Sequence, residues 1–454
     1  MCRFIRLVLL RMGILLNQNT LNVLQLATGF FLVFFAFNSQ GFIEETVLNS
    51  YADRGVLPKH VGYLSLAIIY GVFTFTNFIA APIVGALKAR WSIVFGAACY
   101  AIFLAGFLFV NEAYILASSG VLGLGAAVIW TAQGKYLSLN SNEETAGKHS
   151  GIFWAISQAC LAGGGLFLYF VFHTKDSKED ISESTTRLLY TVFLAVTIVG
   201  IVILALLRMP GNAPLLEANN GSGNPDEPEL TTWETLKSTF RLLKTKRMIF
   251  VSFAFMYTGI ELSFWSGIYP TSIANTKYFT YNTYSLTALT AIAQGLGQAC
   301  SGFLFGILSA KTKRFGRSSI VLLGTIIHLL VFVGVYVNLP KDAPLEKTDD
   351  KGLINPSIAL VLVCGFFLNF GDACWNTQCF SFLISRYPTK SAQAFSLFKF
   401  FQSLLTCAAF FYGTKLQLQW HILILVVGAI VGCISFFVAD KLPEDEEETN
   451  HHHD

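Results

Sequence analysis

The sequence predicts an all-α membrane protein with twelve transmembrane helices, arranged as two halves of six helices each. Three observations support this fold class. The composition is 54% hydrophobic and only 13% charged, whereas about a quarter of the residues are charged in ordinary soluble domains. The apolar residues form runs long enough to cross a bilayer, and short features of the first half recur in the second half.

The apolar runs define the predicted membrane spans. A hydrocarbon core about 30 Å thick requires roughly 20 apolar helical residues for each crossing, because lipid cannot satisfy exposed backbone polar groups. Twelve runs meet this requirement. In chain order, spans 1 to 12 are 22–43, 61–86, 92–110, 113–139, 149–173, 188–208, 248–274, 283–310, 318–338, 357–385, 391–414 and 420–438.

A long polar segment, 209–247, separates span 6 from span 7. It contains Pro, Gly, Asn and acidic residues and ends in a basic amphipathic stretch, a composition typical of a linker. The predicted organisation is an N-terminal extension (1–21), a first six-helix bundle (22–208), a linker (209–247), a second six-helix bundle (248–438) and an acidic tail (439–454).

The distribution of basic residues predicts that both termini are cytosolic. Lys and Arg concentrate before span 1, at the end of the linker and in the loop between spans 8 and 9, and such residues are retained on the cytoplasmic side. The net charge of +3 follows from this distribution and gives no reason to expect a nucleic-acid partner. The opening "MCRFIRLVLLRMGILL" could instead be a signal or transit peptide, but no cleavage site is evident, so we interpret it as a cytosolic extension.

Three features of the first half recur in the same order in the second half. The pairs are "VGALKARWSIVFG" (84–96) with "FGILSAKTKRFGRSSIVLLG" (305–324), "WTAQ" (130–133) with "WNTQ" (375–378), and Gln158 with Gln402. Their order favours a duplication. Two parallel six-helix repeats with a cavity between them near the membrane midplane form the architecture of the major facilitator fold.

The loop "GILSAKTKRFGR" between spans 8 and 9 resembles the signature loop of that superfamily. The resemblance implies that glycine permits close helix contact there and that the basic residues hold a cytoplasmic gate. The candidate gate residues are Gly306, Lys313, Arg314, Gly316 and Arg317. The position that usually carries an acid is Ala310 here, and the first-half copy also lacks an acid. This departure argues against a gate built on that carboxylate.

Charged residues are rare inside the predicted spans, and three of them lie deep. They are Glu261 in span 7, Asp372 in span 10 and Lys399 in span 11. A charge at the bilayer centre costs about 2.5–3.5 kcal/mol on insertion scales, so these groups should face the bundle interior or water and form pairs. Amide side chains of the same and the matching spans complete the candidate site: Asn376, Gln378, Gln402, Gln133 and Gln158.

Two interpretations of the three charges remain open. In the functional one, Glu261, Asp372 and Lys399 edge a central cavity, where one carboxylate could bind a proton or another cation. In the structural one, Asp372 and Lys399 form a bridge between two helices, and Glu261 is bonded to neighbouring Ser or Tyr hydroxyl groups.

Several segments resemble the Unc-93-like family of the major facilitator superfamily. They are "GYLSLAIIYGVF" (62–73), "WTAQGKYLSLNS" (130–141), "SGIFWA" (150–155), "YTGIELSFWSGIY" (257–269), "RFGRSSIVLLG" (314–324), "FGDACWNTQ" (370–378) and "FKFFQS" (398–403). The resemblance covers nearly all of 22–438. It implies a multi-pass membrane protein but not a single activity, because the family includes a regulatory subunit of a potassium channel and a chaperone of receptors.

Two functional hypotheses follow. The first is a transporter-like protein that moves a small solute coupled to an ion or a proton, and the second is a regulatory or trafficking subunit that binds a channel or receptor in the bilayer. No nucleophile triad and no recurrent metal-ligand spacing is evident in the sequence, so we expect neither an enzyme nor a cofactor nor a metal. The sequence leaves the substrate open, and it leaves open whether the protein resides in the plasma membrane or an endomembrane.

Overall fold

The computed structural model describes residues 17–58, 61–172, 182–210, 231–279, 281, 283–307, 316–413 and 415–443. The described chain is helical, and ten of its helices are long and apolar enough to cross a membrane. In chain order the helices are α1 (Gln18–Asp53), α2 (Val61–Gly106), α3 (Glu112–Leu139), α4 (Ala146–Phe172), α5 (Glu183–Ala205), α6 (Thr232–Leu243), α7 (Lys246–Ser263), α8 (Tyr269–Asn275), α9 (Thr283–Ile307), α10 (Gly316–Asn338), α11 (Ile358–Arg386), α12 (Ser391–Gly413) and α13 (Leu418–Lys441).

Polar caps start several of these helices close to the predicted positions. The side chain of Asn111 accepts a hydrogen bond from the backbone of Tyr114 at the start of α3, and Ser357 accepts one from Leu360 at the start of α11. Such caps satisfy amide groups that have no partner within the helix. The apolar spans and the capping residues therefore agree on where these two helices begin.

Helix α1 is longer than predicted span 1, which ends at residue 43. The structure continues this helix to Asp53, beyond the apolar run. Glu44, which is 4% exposed, accepts hydrogen bonds from Gln40 (2.7 Å) and Ser65 (3.0 Å). Hydropathy marks the end of the apolar run, whereas the helix continues into the polar residues that follow.

Predicted spans 2 and 3 are two helices that follow each other without a loop and meet at a kink at Lys88. The segment α2 contains 46 residues and is interrupted only at Lys88, whose φ of 63° and ψ of 158° are not helical. A straight helix of this length would measure about 70 Å, roughly twice the hydrocarbon thickness. The predicted turn over 87–91 is therefore reduced to a kink at one residue with a strained positive φ.

Span 7 contains a π-helical turn, Phe264–Ile268, between α7 and α8. Pro270 comes two residues after it, in the first turn of α8. Proline lacks an amide hydrogen, and its ring collides with the carbonyl group four residues earlier. The wider π-helical turn lets the chain continue across this position without ending the helix.

Helix α6 occupies the described end of the linker, whereas residues 211–230 lie outside the described residues. It begins with a capping box in which Thr231 and Glu234 bond each other's backbone amides, and these hydrogen bonds from Thr231 hold the pKa of Glu234 below its ordinary value. Phe240 stacks on Phe78 of α2, with ring centroids 5.7 Å apart. The linker helix thus packs against the first half.

The two halves of the chain touch along several helix pairs, of which α4 with α9 and α2 with α12 are the most extensive. Small residues line the first contact: a Cβ atom at Gly295 would lie 2.2 Å from the backbone nitrogen of Ala162, and one at Gly302 would lie 2.6 Å from that of Ala155. Small residues allow helix backbones to approach closely in membranes. Helix α12 also contacts α3, which brings its polar residues to the boundary between the halves.

Candidate functional site

Asp372 lies on α11 and is 3% exposed. Its Oδ2 accepts a hydrogen bond from Gln298 Nε2 of α9 (2.9 Å), and its Oδ1 accepts one from Asn376 Nδ2 one turn along α11 (2.8 Å). Gln298 Nε2 also donates to Asn369 Oδ1 (2.8 Å). Asp372 and Asn376, both predicted for the candidate site, are therefore in contact, and the carboxylate is held by amide donors from two helices.

Glu261 of α7 lies near Asp372, close enough for the two carboxyl groups to interact electrostatically. Glu261 is 1% exposed. Among the residues that the structure describes, no donor forms a hydrogen bond with either oxygen of Glu261. The predicted hydroxyl partners of Glu261 are thus not seen, and the arrangement joins two acids in the protein interior.

His328 of α10 also belongs to this group, although the sequence analysis did not single it out. Its Nδ1 lies 2.5 Å from Tyr257 Oη, its Nε2 lies 2.9 Å from the carbonyl oxygen of Leu368, and its Nε2 is 3.8 Å from Glu261 Oε1. A carbonyl oxygen only accepts hydrogen bonds, so Nε2 carries the hydrogen and Nδ1 accepts from the tyrosine. The sequence did offer a signal that could have identified His328: it lies inside an apolar span, where a histidine needs polar partners.

Lys399 of α12 is 4% exposed and donates to Gln402 Oε1 (2.7 Å). Its ammonium nitrogen lies 4.4 Å from the ring centroid of Trp130 on α3 and 4.6 Å from that of Phe398. Aromatic faces attract a desolvated cation. The lysine of the second half is therefore seated against an aromatic side chain of the first half.

The direct bridge between Asp372 and Lys399, which the structural interpretation requires, is not formed. Within the described part of the chain, the ion pairs do not include these two residues, although they attract each other at longer range. Lys399 is instead linked through Gln402 to Thr258 of α7, with 3.2 Å between Gln402 Nε2 and Thr258 Oγ1. Two groups result: an acid pair with its amide and histidine neighbours, and a lysine with aromatic and amide neighbours.

Among the residues that the structure describes, the other three predicted amides form no hydrogen bond with the charged residues of the candidate site. Gln133 is fully buried on α3, and neither atom of its amide has a hydrogen-bond partner in the described chain. Gln158 is half-buried on α4. Gln378 donates to the hydroxyl group of Thr377 (3.3 Å). Thus Asn376 contacts Asp372 directly and Gln402 contacts Lys399.

The candidate gate residues are only partly described. Gly306 lies in the last turn of α9 and Gly316 begins α10, whereas Lys313 and Arg314 lie outside the described residues. Arg317 pairs with Asp440 of α13 (3.6 Å) and donates to Ser385 of α11 (2.6 Å). These partners all belong to the second half, so Arg317 links helices within the second bundle.

Polar contacts also connect the halves at α2 and α12. Thr74 Oγ1 lies 3.2 Å from Ser403 Oγ, and Asn77 Nδ2 lies 3.4 Å from the same atom. Ser396 donates to the backbone oxygen of Asn77 (2.8 Å). Uncharged polar residues of span 2 therefore face polar residues of span 11.

Comparisons with known proteins identify the family of this chain. Residues 53–437 match the family model described as "Ion channel regulatory protein UNC-93". The chain is 38% identical over 435 residues to UNC93-like protein MFSD11 of Xenopus tropicalis, covering 93% of this chain and 96% of the relative. It is 26% identical over 470 residues to protein unc-93 homolog A of Bos taurus, covering 95% of each.

A solved structure gives the fold. The E. coli fucose:proton symporter FucP superposes with a TM-score of 0.67 at 13% identity, covering 94% of this chain and 100% of that one. At such low identity the superposition establishes the fold alone. The predicted Unc-93-like resemblance is confirmed, and the chain belongs to the UNC-93 family of multi-pass membrane proteins, built on the major facilitator fold.

Proposed function

We propose that this protein moves a small solute across its membrane, coupled to the binding of an ion or proton at Glu261 and Asp372. One observation carries the proposal: two acids and a lysine are buried within a transporter fold, and the lysine contacts Trp130 of the first half. Intramembrane charges are costly, and they mark substrate and ion pathways.

The proposed architecture has twelve crossings in two six-helix repeats, with both termini and the linker in the cytosol. The 46 residues of α2 are enough for two crossings of the membrane, and the 25 residues of α9 are enough for one more. The motifs Trp130 to Gln133 on α3 and Trp375 to Gln378 on α11 support the repeat. Basic residues on the linker helix α6 support its cytosolic position.

In this proposal the solute binds at Lys399 and its aromatic and amide neighbours. Lys399 offers an ammonium group beside the face of Trp130, and Gln133, one turn along α3, offers an amide with no partner among the described residues. Buried polar atoms normally have partners, so an unpaired amide near the boundary of the halves is suited to a ligand. The structural relative FucP is named as a fucose:proton symporter. The same fold therefore supports coupled uptake of a small polar solute in that protein.

The test is uptake into vesicles containing the purified protein, screened against mixtures of metabolites with an imposed ion or proton gradient. Asp372→Asn should abolish the gradient-driven part of the uptake, since it removes the carboxylate that Gln298 and Asn376 hold. Glu183→Gln, an exposed carboxylate paired with Arg187, is the control that should transport normally. Normal abundance of Asp372→Asn with unchanged uptake would contradict the proposal.

A second candidate function is a non-transporting subunit that regulates a channel or receptor. It is favoured by the description of the matching family, which names ion channel regulation. Crosslinking in native membranes followed by purification distinguishes the two. A partner recovered in equal amounts, together with no flux of any metabolite, would support the subunit and exclude the transporter.

A further inference from the structure

We infer that the protein binds a phosphate group in a cavity at the end of the bundle where the linker helix α6 meets both halves. The cavity has a volume of about 100 Å³. Four helices form its wall, through Lys88 of α2, Lys135 of α3, Thr232 and Thr235 of α6, and Ala392 and Gln393 of α12. None of these residues belongs to the candidate functional site, so the binding inference stands without the proposed transport.

Two ammonium groups give the cavity a positive charge. Lys135 is 1% exposed, although lysine is seldom so deeply buried, and Lys88 is half-buried at the kink of α2. Among the described lining residues none is acidic. Glu234, the acid in the first turn of α6, accepts hydrogen bonds from the backbone and the hydroxyl group of Thr231. The charge of the described wall therefore suits an anion.

The first turn of α12 also lines the cavity. Ser391, Ala392 and Gln393 are 5%, 6% and 2% exposed, so this helix begins inside the protein. The amide of Ala394 donates to the carbonyl oxygen of Lys390, whereas the amides before it have no partner within the helix. These amide hydrogens and the positive end of the helix dipole attract an anion.

The side chain of Gln393 indicates which anion fits. Its Oε1 is buried and has no hydrogen-bond partner in the part of the chain that the structure describes. A buried carbonyl oxygen normally accepts a hydrogen bond, so the ligand should donate one as well as carry negative charge. Inorganic phosphate keeps a P–OH group at neutral pH, whereas sulfate has none. A phosphate therefore offers negative oxygens to the lysines and to α12, and a hydroxyl hydrogen to Gln393.

The size of the cavity limits the ligand to a small group. One water molecule takes about 30 Å³ of the liquid, so the cavity has the room of about three waters, whereas sites for drug-sized ligands measure about 300–1,000 Å³. Free phosphate satisfies this limit, and so does the phosphate monoester headgroup of phosphatidic acid, which carries a P–OH group in its singly charged form. The two sources share the chemistry that the cavity recognises.

A phosphate in this cavity contacts helices of both halves and the linker helix at once. We expect it to hold this end of the bundle closed and to raise the thermal stability of the protein, because a ligand that binds only the folded state stabilises it. Only the effect of this closure on uptake rests on the proposed function.

Binding of ³²P-labelled phosphate to the purified full-length protein in detergent tests the site without any transported solute. Unlabelled phosphate should compete at least about tenfold better than sulfate, because sulfate leaves Gln393 without a donor. Lys88→Gln and Lys135→Gln should each weaken binding by about tenfold or more, since each removes a charged donor. Lys277→Gln, which alters an exposed lysine paired with Asp349, is the control that should bind normally.

Gly85 provides a matched pair of variants that leaves every existing side chain in place. It lines the cavity, and a Cβ atom there would meet nothing within 4 Å. Gly85→Asp places a carboxylate in the cavity and should abolish phosphate binding. Gly85→Asn, which has the same size without the charge, should retain it. Thermal unfolding without phosphate verifies that both variants are folded.

Nanodiscs of phosphatidylcholine, with or without phosphatidic acid, identify the source of the phosphate. Phosphatidic acid should block the labelled phosphate if its headgroup occupies the cavity and should have no effect if free phosphate is the ligand; both results support the site. Absence of saturable phosphate binding by the folded wild type would overturn the inference. So would binding that persists in Gly85→Asp or in both lysine variants, and equal competition by sulfate would overturn the assignment to phosphate.

Discussion

Lys399 illustrates, at the scale of single residues, how a charge is accommodated in an apolar interior. Its ammonium group has one amide acceptor, Gln402 Oε1, and otherwise meets the faces of Trp130 and Phe398. A buried ion without a contacting counter-ion gives little stability, because the cost of desolvation exceeds the gain from weak partners. The energetic argument therefore favours a functional role for this lysine over a structural one.

The substitution Lys399→Met separates those two roles. Methionine fills a similar volume without a charge, so we expect the free energy of unfolding to stay within about 1 kcal/mol of the wild type or to rise. Transport, by contrast, should be lost. Thermal unfolding in detergent and vesicle uptake measure the two quantities on the same preparation. A loss of several kcal/mol in stability would assign Lys399 a structural role instead.

Among the secondary structure elements, α9 packs closely against two neighbouring helices, and this packing positions Gln298. On one side Gly295 contacts the backbone of Ala162 on α4, and on the other side Gly297 contacts the carbonyl group of Phe366 on α11, where an added Cβ atom would lie 2.0 Å from the oxygen. Gln298 is the next residue and reaches Asp372. The small residues of α9 thus allow the close packing that brings an amide from one helix to a carboxylate on another.

Gly295→Ala should destabilise the protein by about 1–3 kcal/mol, because its methyl group would meet backbone atoms that cannot move aside. Gly71→Ala is the matched control, since a Cβ atom there would meet nothing within 4 Å. That variant should be slightly more stable, because alanine favours helix more than glycine does. Thermal unfolding of both variants in the same detergent provides the comparison. Equal stability of the two would mean that the α4 and α9 contact tolerates extra volume.

For the whole molecule, the contact between the halves is the feature that a transport cycle would have to change. Thr74 and Asn77 of α2 meet Ser403 and Ser396 of α12 through neutral hydrogen bonds. Each such bond contributes only about 0.5–1.5 kcal/mol. Contacts of this kind can separate and re-form, as the rocking of one half against the other requires.

A crosslink across this contact tests that motion. The double variant T74C/S403C should form a disulfide on mild oxidation, because the two native hydroxyl oxygens are 3.2 Å apart. Uptake should fall when the crosslink forms and recover after reduction. Either single variant treated identically controls for oxidation of the native cysteines. Full uptake by the crosslinked protein would show that these two helices need not separate.

The sequence by itself determined the membrane character, the apolar spans and the identity of the deep charged residues. These properties are local, because the length of an apolar run determines where a helix can cross and an ionisable residue within such a run is visible in the sequence itself. The family resemblance then linked these spans to a known fold.

Only the tertiary structure decided which side chains meet. It brought His328 and Gln298 to the acid pair, seated Lys399 against Trp130 instead of Asp372, and made Glu44 a buried residue of a longer α1. These contacts join helices that are distant in sequence. They depend on how each helix is rotated and how closely its neighbours approach, and those quantities are set by the packing of small and large side chains between helices rather than by the hydropathy of any one segment.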